Sequence, residues 1–307
     1  MAANNLANYT TLGVGGPAAN IVHAKTEAEL ISAVKAADES KMPILILGGG
    51  SNVLISDAGF SGTVVKVETT GNSFEIDACS GGTLTVSAGA DWDEFVLFPI
   101  EKGLANLESL SGIPGTVGGA PIQNIGAYGH EVSEVIARVR TWDRKAGAYK
   151  TFSNSECEFS YRSSVFKKNP GRYVIIDVTF QLRNGEMSLP ITYKELASYL
   201  GVELEARALV SDVRKAVLAL RAAKGMLLDS NDHDTWSAGS FFVNPILSAE
   251  AAAKLTAEKL AAEEAAAKAK AAADRAAAES QAKEEAKRNA ARNQIAKDKS
   301  RVKKLVE

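Results

Sequence analysis

The chain is poor in cysteine and histidine, balanced in charge, and without any long hydrophobic run. Cys79 and Cys157 are its two cysteines. They stand far apart, in no metal-ligand spacing, and offer no disulfide framework. That scarcity fits a reducing compartment, and the cytoplasm is the expected location. The three histidines, His23, His130 and His233, are scattered and match no catalytic pattern, so each reads as structural or exposed. No metal site is expected. Formal net charge is −2, which gives no overall field to draw nucleic acid or an anionic membrane. Apolar runs such as residues 44–47 fall far short of the roughly 20 residues needed to span a bilayer. The polar opening, residues 1–11, lacks the apolar stretch of a signal peptide. The expectation is a monomer without nucleic-acid or membrane partners.

What is present is a chain of 307 residues, 46% hydrophobic, which suggests two or three domains with a real core. Its composition breaks near residue 248. Glycine, proline and aromatics all stop there, and residues 249–307 are almost entirely Ala, Lys, Arg and Glu with a few other polar residues. Pairs four apart, among them Glu250 with Lys254 and Glu264 with Lys268, predict one long solvated helix. Its scattered leucines and valines cannot sustain a heptad seam.

Before the break, Leu30, Val34 and Ala37 have helical spacing and predict a helix over residues 27–40. Strands are expected at 44–47, 53–55 and 63–67, so that the first unit is one helix on a small sheet. Further strands are expected at 84–88, 138–142 and 173–182. In the last of these Val174, Ile176, Val178 and Phe180 alternate. Asp91 is a plausible N-cap for a helix over 91–102. Val213, Val217 and Leu220 share one face of a helix over 209–226. The fold class expected is α+β, with units at 1–67, 68–186, 187–248 and 249–307.

Two glycine-rich stretches carry the chemistry. Gly48-Gly49-Gly50-Ser51-Asn52 follows an expected strand. Such a turn can point successive N–H groups at one anion, as a pyrophosphate cradle, or can be an ordinary tight turn. The spacing is not GxGxxG opening a long helix, so this is no Rossmann signature. The second stretch is Ser111-Gly112-Ile113-Pro114-Gly115-Thr116-Val117-Gly118-Gly119-Ala120, then Gln123-Asn124-Ile125-Gly126-Ala127-Tyr128-Gly129. Glycines interleaved with Ile, Val and Tyr suit a backbone lying close against a flat ligand, and argue against a flexible linker. A long connector inside a compact domain is usually functional.

With Val53 and Leu54 extending the first turn, and with Ser160-Tyr161-Arg162-Ser163-Ser164-Val165-Phe166 and Ala238-Gly239-Ser240-Phe241-Phe242 following in order, the chain resembles the UDP-N-acetylenolpyruvoylglucosamine reductase family. The likeness runs from about residue 5 to residue 248. It implies a two-subdomain FAD-binding fold of the vanillyl-alcohol-oxidase type, with a partial α+β substrate domain. FAD would be held by residues 49–54 and wrapped by 112–129. NADPH would supply the hydride, and the partner substrate would be UDP-N-acetylglucosamine enolpyruvate, reduced to UDP-N-acetylmuramate for peptidoglycan. By the same resemblance Arg162 matches the family's catalytic arginine, a cation for the substrate carboxylate. Ser240 matches its proton donor. Tyr193, Lys224 and Asn244 match substrate-binding positions. Without the family context, Arg162 reads as a surface ion pair, Ser240 as a cap, Tyr193 as packing and Lys224 as a solvated helix end.

The family continues past Asn244 and Pro245 into a segment with a further catalytic glutamate, and residues 249–307 do not resemble it. Two functional expectations follow: a working reductase, or a catalytically impaired flavin-binding module whose tail recruits a partner.

Overall fold

Strands and short helices build the chain, over the described residues 4–77, 79–237, 239, 244–266 and 268–270 of the computed structural model. Strand β1 (Ala18–Ala24), helix α1 (Glu27–Glu39), β2 (Ile44–Leu47) and β3 (Phe60–Val67) come first. β3 lies in the middle and pairs parallel with both other strands. Thr26 accepts from the Glu29 amide while the Glu29 carboxylate accepts from the Thr26 amide, so two otherwise orphan donors start α1. The helix then buries Leu30, Ile31, Val34 and Ala37.

Next come β4 (Asn72–Asp77), β5 (Gly81–Ser87), α2 (Trp92–Glu101), β6 (Leu104–Ala105), the small hairpin β7 (Gly126–Ala127) and β8 (His130–Glu131), β9 (Ile136–Asp143), β10 (Ala148–Ser153), α3 (Val165–Lys168) and β11 (Tyr173–Asn184). They form an antiparallel sheet in the order β10-β9-β11-β5-β4, with β6 on the end of β11. Asp91 caps α2 by accepting from the amides of Asp93 and Glu94. Trp92, Phe95 and Phe180 pack beneath it, with the two phenylalanine rings 4.6 Å apart. One hydrophobic core runs from Leu30 and Val34 of α1 through Val65 to Val178 and Phe180 of β11. Arg140 of β9 ties helix α1 to the larger sheet, forking onto Glu27 of α1 while reaching Asp177 of β11.

Helices α4 (Lys194–Leu200) and α5 (Val210–Ala223) complete this part. They have a core of their own around Ile191, Leu196, Val213 and Val217. An irregular antiparallel ladder lies beside it: the Ser188 amide bonds Ala208 O at 2.8 Å and the Ile191 amide bonds Ala206 O at 2.8 Å.

The chain divides into two compact units, Met1–Val243 and Asn244–Glu307. In the second, residues 244–248 have no regular structure and 249–266 and 268–270 are helical and exposed. Ser248 starts that helix, its hydroxyl accepting from the Ala251 amide. The rest of the expected tail helix, 271–307, lies outside the described residues. No helix among the described residues is long and apolar enough to cross a membrane.

The architecture is α+β. Expected strands and helices recur with small shifts, but residues 53–55 are loop. They follow the glycine turn without a strand partner. β1, β4 and β10 were not expected. β4 is exposed along its whole length and β10 buries only Phe152, so neither carries a strong apolar alternation.

Candidate active site

The first glycine turn leaves the C-terminal end of β2, where two parallel neighbours end together. Its backbone lies against the second glycine-rich stretch with no room for side chains. A Cβ on Gly48 would sit 2.5 Å from Thr116 Oγ1, and one on Gly49 would sit 2.6 Å from Gly115 Cα. Gly50 is left-handed, and a Cβ there would meet the Tyr9 carbonyl at 1.8 Å. Such contacts are closed to any other residue. Polar bonds then pin the two stretches: Ser51 Oγ donates to Pro114 O at 3.0 Å, and Asn52 Nδ2 donates to Gln123 Oε1 at 3.1 Å.

A cavity of about 620 Å³ opens at this junction, within the range of cofactor and ligand pockets. Of the residues expected to hold FAD, it is lined by Gly48, Gly50, Ser51, Asn52, Val53, Ile113, Pro114, Gly115, Thr116, Gly119, Ala120, Gln123, Gly126, Ala127 and Tyr128. The others, apart from Leu54, sit behind that lining. Gly49 packs on Gly115, Gly118 on Ala88, Gly129 on Thr192, and Gly112 on Leu227 and Leu218. Leu54 is 75% exposed and is not among the lining residues. Gly119 differs from its neighbours, because the nearest atom to an added Cβ is 4.0 Å away. Its missing side chain leaves space in the cavity wall that no described residue fills. A tight cradle at the glycine turn beside open space at Gly119 fits a pyrophosphate joined to a flat ring system.

Arg162 lines the same cavity from a two-residue turn. Ser160 and Ser163 exchange backbone hydrogen bonds of 3.1 and 2.9 Å, and Arg162 between them is left-handed at φ 52°. That conformation costs an arginine about 1–2 kcal/mol, so the surroundings must hold it. Buried Asn124 supplies one hold, donating to the Ser160 carbonyl at 3.2 Å and to Glu131 Oε2 at 2.6 Å, and accepting from the Ser133 amide. Ser164, fully buried, donates to the Ile122 carbonyl and caps α3. Lys167 donates to the Arg162 carbonyl at 2.9 Å. Asn124 is therefore a positioning residue, behind the wall rather than in it.

Tyr193 and Lys224 also line the cavity, from the start of α4 and the end of α5. The Tyr193 ring meets Tyr128 edge-on at 5.4 Å. A hydrogen bond with Glu195 raises the pKa of Lys224, so its ammonium stays charged. Burial pushes the Tyr128 phenol up. Asn244 belongs to the second unit and is exposed. Ser240 lies outside the described residues.

Sequence reasoning missed Lys167 and Arg221, which line the cavity too. Arg221 is three residues before Lys224 on α5, so helical spacing could have found it. Lys167 is the residue next to the Ser-Tyr-Arg motif's last phenylalanine. Arg162, Lys167, Arg221 and Lys224 give the described lining four cations and no carboxylate. In a chain of net charge −2, that concentration selects for an anionic ligand.

An FAD-binding-domain family model matches residues 18–153. The chain is 56% identical over 245 residues to a UDP-N-acetylenolpyruvoylglucosamine reductase of Cutibacterium acnes, covering 80% of this chain and 65% of that protein. It is 49% identical over 252 residues to the enzyme of that name in Thermobifida fusca, covering 82% and 70%. The chain belongs to the UDP-N-acetylenolpyruvoylglucosamine reductase family. A crystal structure of the reductase from Thermus caldophilus superposes with a TM-score of 0.55 at 26% identity, over 78% of this chain and 73% of that one. The chain spans just under two thirds of the length of the Cutibacterium relative.

Proposed function

We propose that the chain binds FAD and, with NADPH as reductant, reduces the enolpyruvyl group of UDP-N-acetylglucosamine enolpyruvate to give UDP-N-acetylmuramate, a peptidoglycan precursor. The observation that carries this reading is one cavity that joins a side-chain-free cradle at Gly48–Gly50 to four cations. Family membership supports it. The unit boundaries expected from sequence, action as a monomer and a cytoplasmic location belong to the same reading.

Residues 48–53 would hold the pyrophosphate, with residues 113–128 along the ring system. FAD supplies hydride transfer to a carbon–carbon double bond. Reduction at the outer vinyl carbon leaves negative charge that spreads into the substrate carboxylate. Arg162 is placed to take that charge through two parallel hydrogen bonds, and a guanidinium remains cationic at any working pH. Because its turn is held from behind, Arg162 needs no reorganisation as the charge develops. Ser240 would deliver the proton to the inner carbon. Tyr193, Lys224 and Asn244 would hold the nucleotide-sugar, with Lys224 exchanging part of its pairing with Glu195 for an anionic oxygen.

The test is titration of the purified chain with FAD, followed by quenching of flavin fluorescence. Saturable binding is expected. Protein that stays colourless after incubation with excess FAD would sink the reading.

A further inference from the structure

Lys66 has no place in the chemistry above, yet it is bonded to the first glycine turn. It lies on β3, the middle strand, with His23 of β1 and Leu47 of β2 as its register partners. Side chains alternate along a strand. Val65 and Val67 belong to the core that α1 covers, while Val64 packs with Leu6 and Leu47 on the other face. Lys66 shares that second face, and the turn at Gly48 begins one residue after Leu47. Its ammonium donates to the Gly48 carbonyl.

Two donors thus hold the turn by its carbonyls. Lys66 takes Gly48 O, and the Thr11 amide takes Gly50 O at 3.1 Å. The peptides are trans and planar, so each N–H points opposite to the carbonyl before it. The amide of Gly49 therefore points away from Lys66, and that of Ser51 away from Thr11. Among the described residues, none accepts a hydrogen bond from any backbone amide of residues 48–52. The turn presents a row of donors that no described residue takes up, and buried amides need a partner.

The charge of Lys66 is also unanswered. Among the described residues no carboxylate forms an ion pair with it, and Glu68, two positions along β3, is paired with His23 at 2.9 Å instead. The side chain is half-buried, and burial lowers its pKa while the charge of Glu68 opposes the shift. A partly buried cation without a counter-charge costs free energy, which an anion in front of the turn would offset. Lys66 stands behind Gly48 and is not among the residues lining the cavity.

We propose that Lys66 is a positioning residue for the cofactor pyrophosphate: its ammonium fixes the Gly48–Gly49 peptide with the amide toward the anion, and supplies positive charge behind that amide. The proposal rests on the reading of residues 48–53 as the pyrophosphate cradle. Lys66 acts through the peptide and does not touch the ligand. A lysine that only satisfied one carbonyl would matter to folding and not to the ligand's charge. The two roles separate when the charge is removed. Loss of a half-buried cation relieves its desolvation as it breaks the bond, so the net effect on folding is small. The pyrophosphate, in contrast, loses a cation that nothing replaces.

The experiment uses the full chain and two variants. Lys66→Met keeps the stem without the charge, and Lys66→Arg keeps a charge. FAD affinity is measured by quenching of flavin fluorescence, and urea unfolding is followed without flavin. Phosphorus NMR of FAD bound at saturation reports on the pyrophosphate itself. Lys66→Met should keep the urea midpoint of the unaltered chain, lose FAD affinity by about tenfold, and displace the phosphorus resonances while the flavin absorbance band stays in place. Lys66→Arg should recover most of the lost affinity. Unchanged FAD affinity in Lys66→Met overturns the proposal. So does a loss that Lys66→Arg fails to recover, or one that a fall in the urea midpoint accompanies. If the unaltered chain does not bind FAD at all, the cradle reading itself fails, an outcome distinct from each of these.

Discussion

At the scale of single residues, the glycines separate packing from ligand contact. Gly49→Ala pushes a methyl group into Gly115, so it should part the two loops, lowering both stability and flavin affinity. Gly119→Ala meets no atom of the described residues closer than 4.0 Å. Its unfolding midpoint in urea should stay where it was while flavin affinity drops by about tenfold, the scale of a 1.4 kcal/mol clash. Unchanged flavin affinity would place the ring system elsewhere. Asn124 gives a second contrast. Asn124→Ala loses the bonds to Glu131, Ser133 and Ser160 and must still adopt φ 47°. Urea unfolding should show a loss of about 2–4 kcal/mol, with Asn124→Gly less affected by about 1 kcal/mol. Arg162→Ala should slow flavin reoxidation by substrate by about 10²–10³-fold while reduction by NADPH stays within a few-fold. The glycines and Arg162 could be read from sequence because their motifs are local. The role of Asn124 could not, since its partners lie 7 to 36 residues away and become neighbours only through the fold.

At the scale of elements, α5 is fastened to the cavity wall through one carboxylate. Arg214 forks onto Asp93 with two bonds of 2.8 Å, and Asp93 accepts from the Gly112 amide at 2.6 Å. Arg221, two turns further along the same face of α5, donates to the Gly112 carbonyl. Burial works to raise the pKa of Asp93, but the bonds from Arg214 and Gly112 outweigh it and hold the carboxyl below its ordinary value. The link is therefore fully present above the ordinary carboxylate range, about 3.9, and is lost as pH falls through the lower folded value. Asp93→Asn should remove about 1–2 kcal/mol, a modest figure because Asp93 is 35% exposed, and should flatten the acid limb of the stability profile. An unaltered acid limb would contradict this role. Helices α1, α2 and α5 and the long strand β11 were legible from their periodicity, with side-chain caps agreeing at α1 and α2, whereas the short α3 and α4 were not expected. Exposed β4 and β10 were not, since tertiary pairing rather than their own pattern makes them strands. The expectation of a strand at 53–55 failed for the converse reason: Val53 lines the cavity, Leu54 is exposed and Ile55 packs beside Leu6 and Leu47, so the apolar residues are placed without strand pairing.

At the scale of the whole molecule, the alanine-rich segment differs from the rest in kind. Residues 249–266 and 268–270 are helical and expose Leu255 and Leu260. Helicity there rests on propensity and charge pairs of about 0.2–0.5 kcal/mol each. It should melt gradually on heating, while Met1–Val243 unfolds in one cooperative step, as circular dichroism and intrinsic tryptophan fluorescence would separately record. The break in composition made this division legible from the sequence. The meeting of Tyr193, Lys224 and Arg221 with the glycine loops was not, because it depends on how α4 and α5 pack against α2 and the neighbouring turns.

The most direct test of the central claim is anaerobic stopped-flow on the FAD-loaded chain. Flavin absorbance should bleach on adding NADPH and recover rapidly on adding UDP-N-acetylglucosamine enolpyruvate, with UDP-N-acetylmuramate as product. Bleaching by NADPH without recovery on adding the nucleotide-sugar would contradict the account.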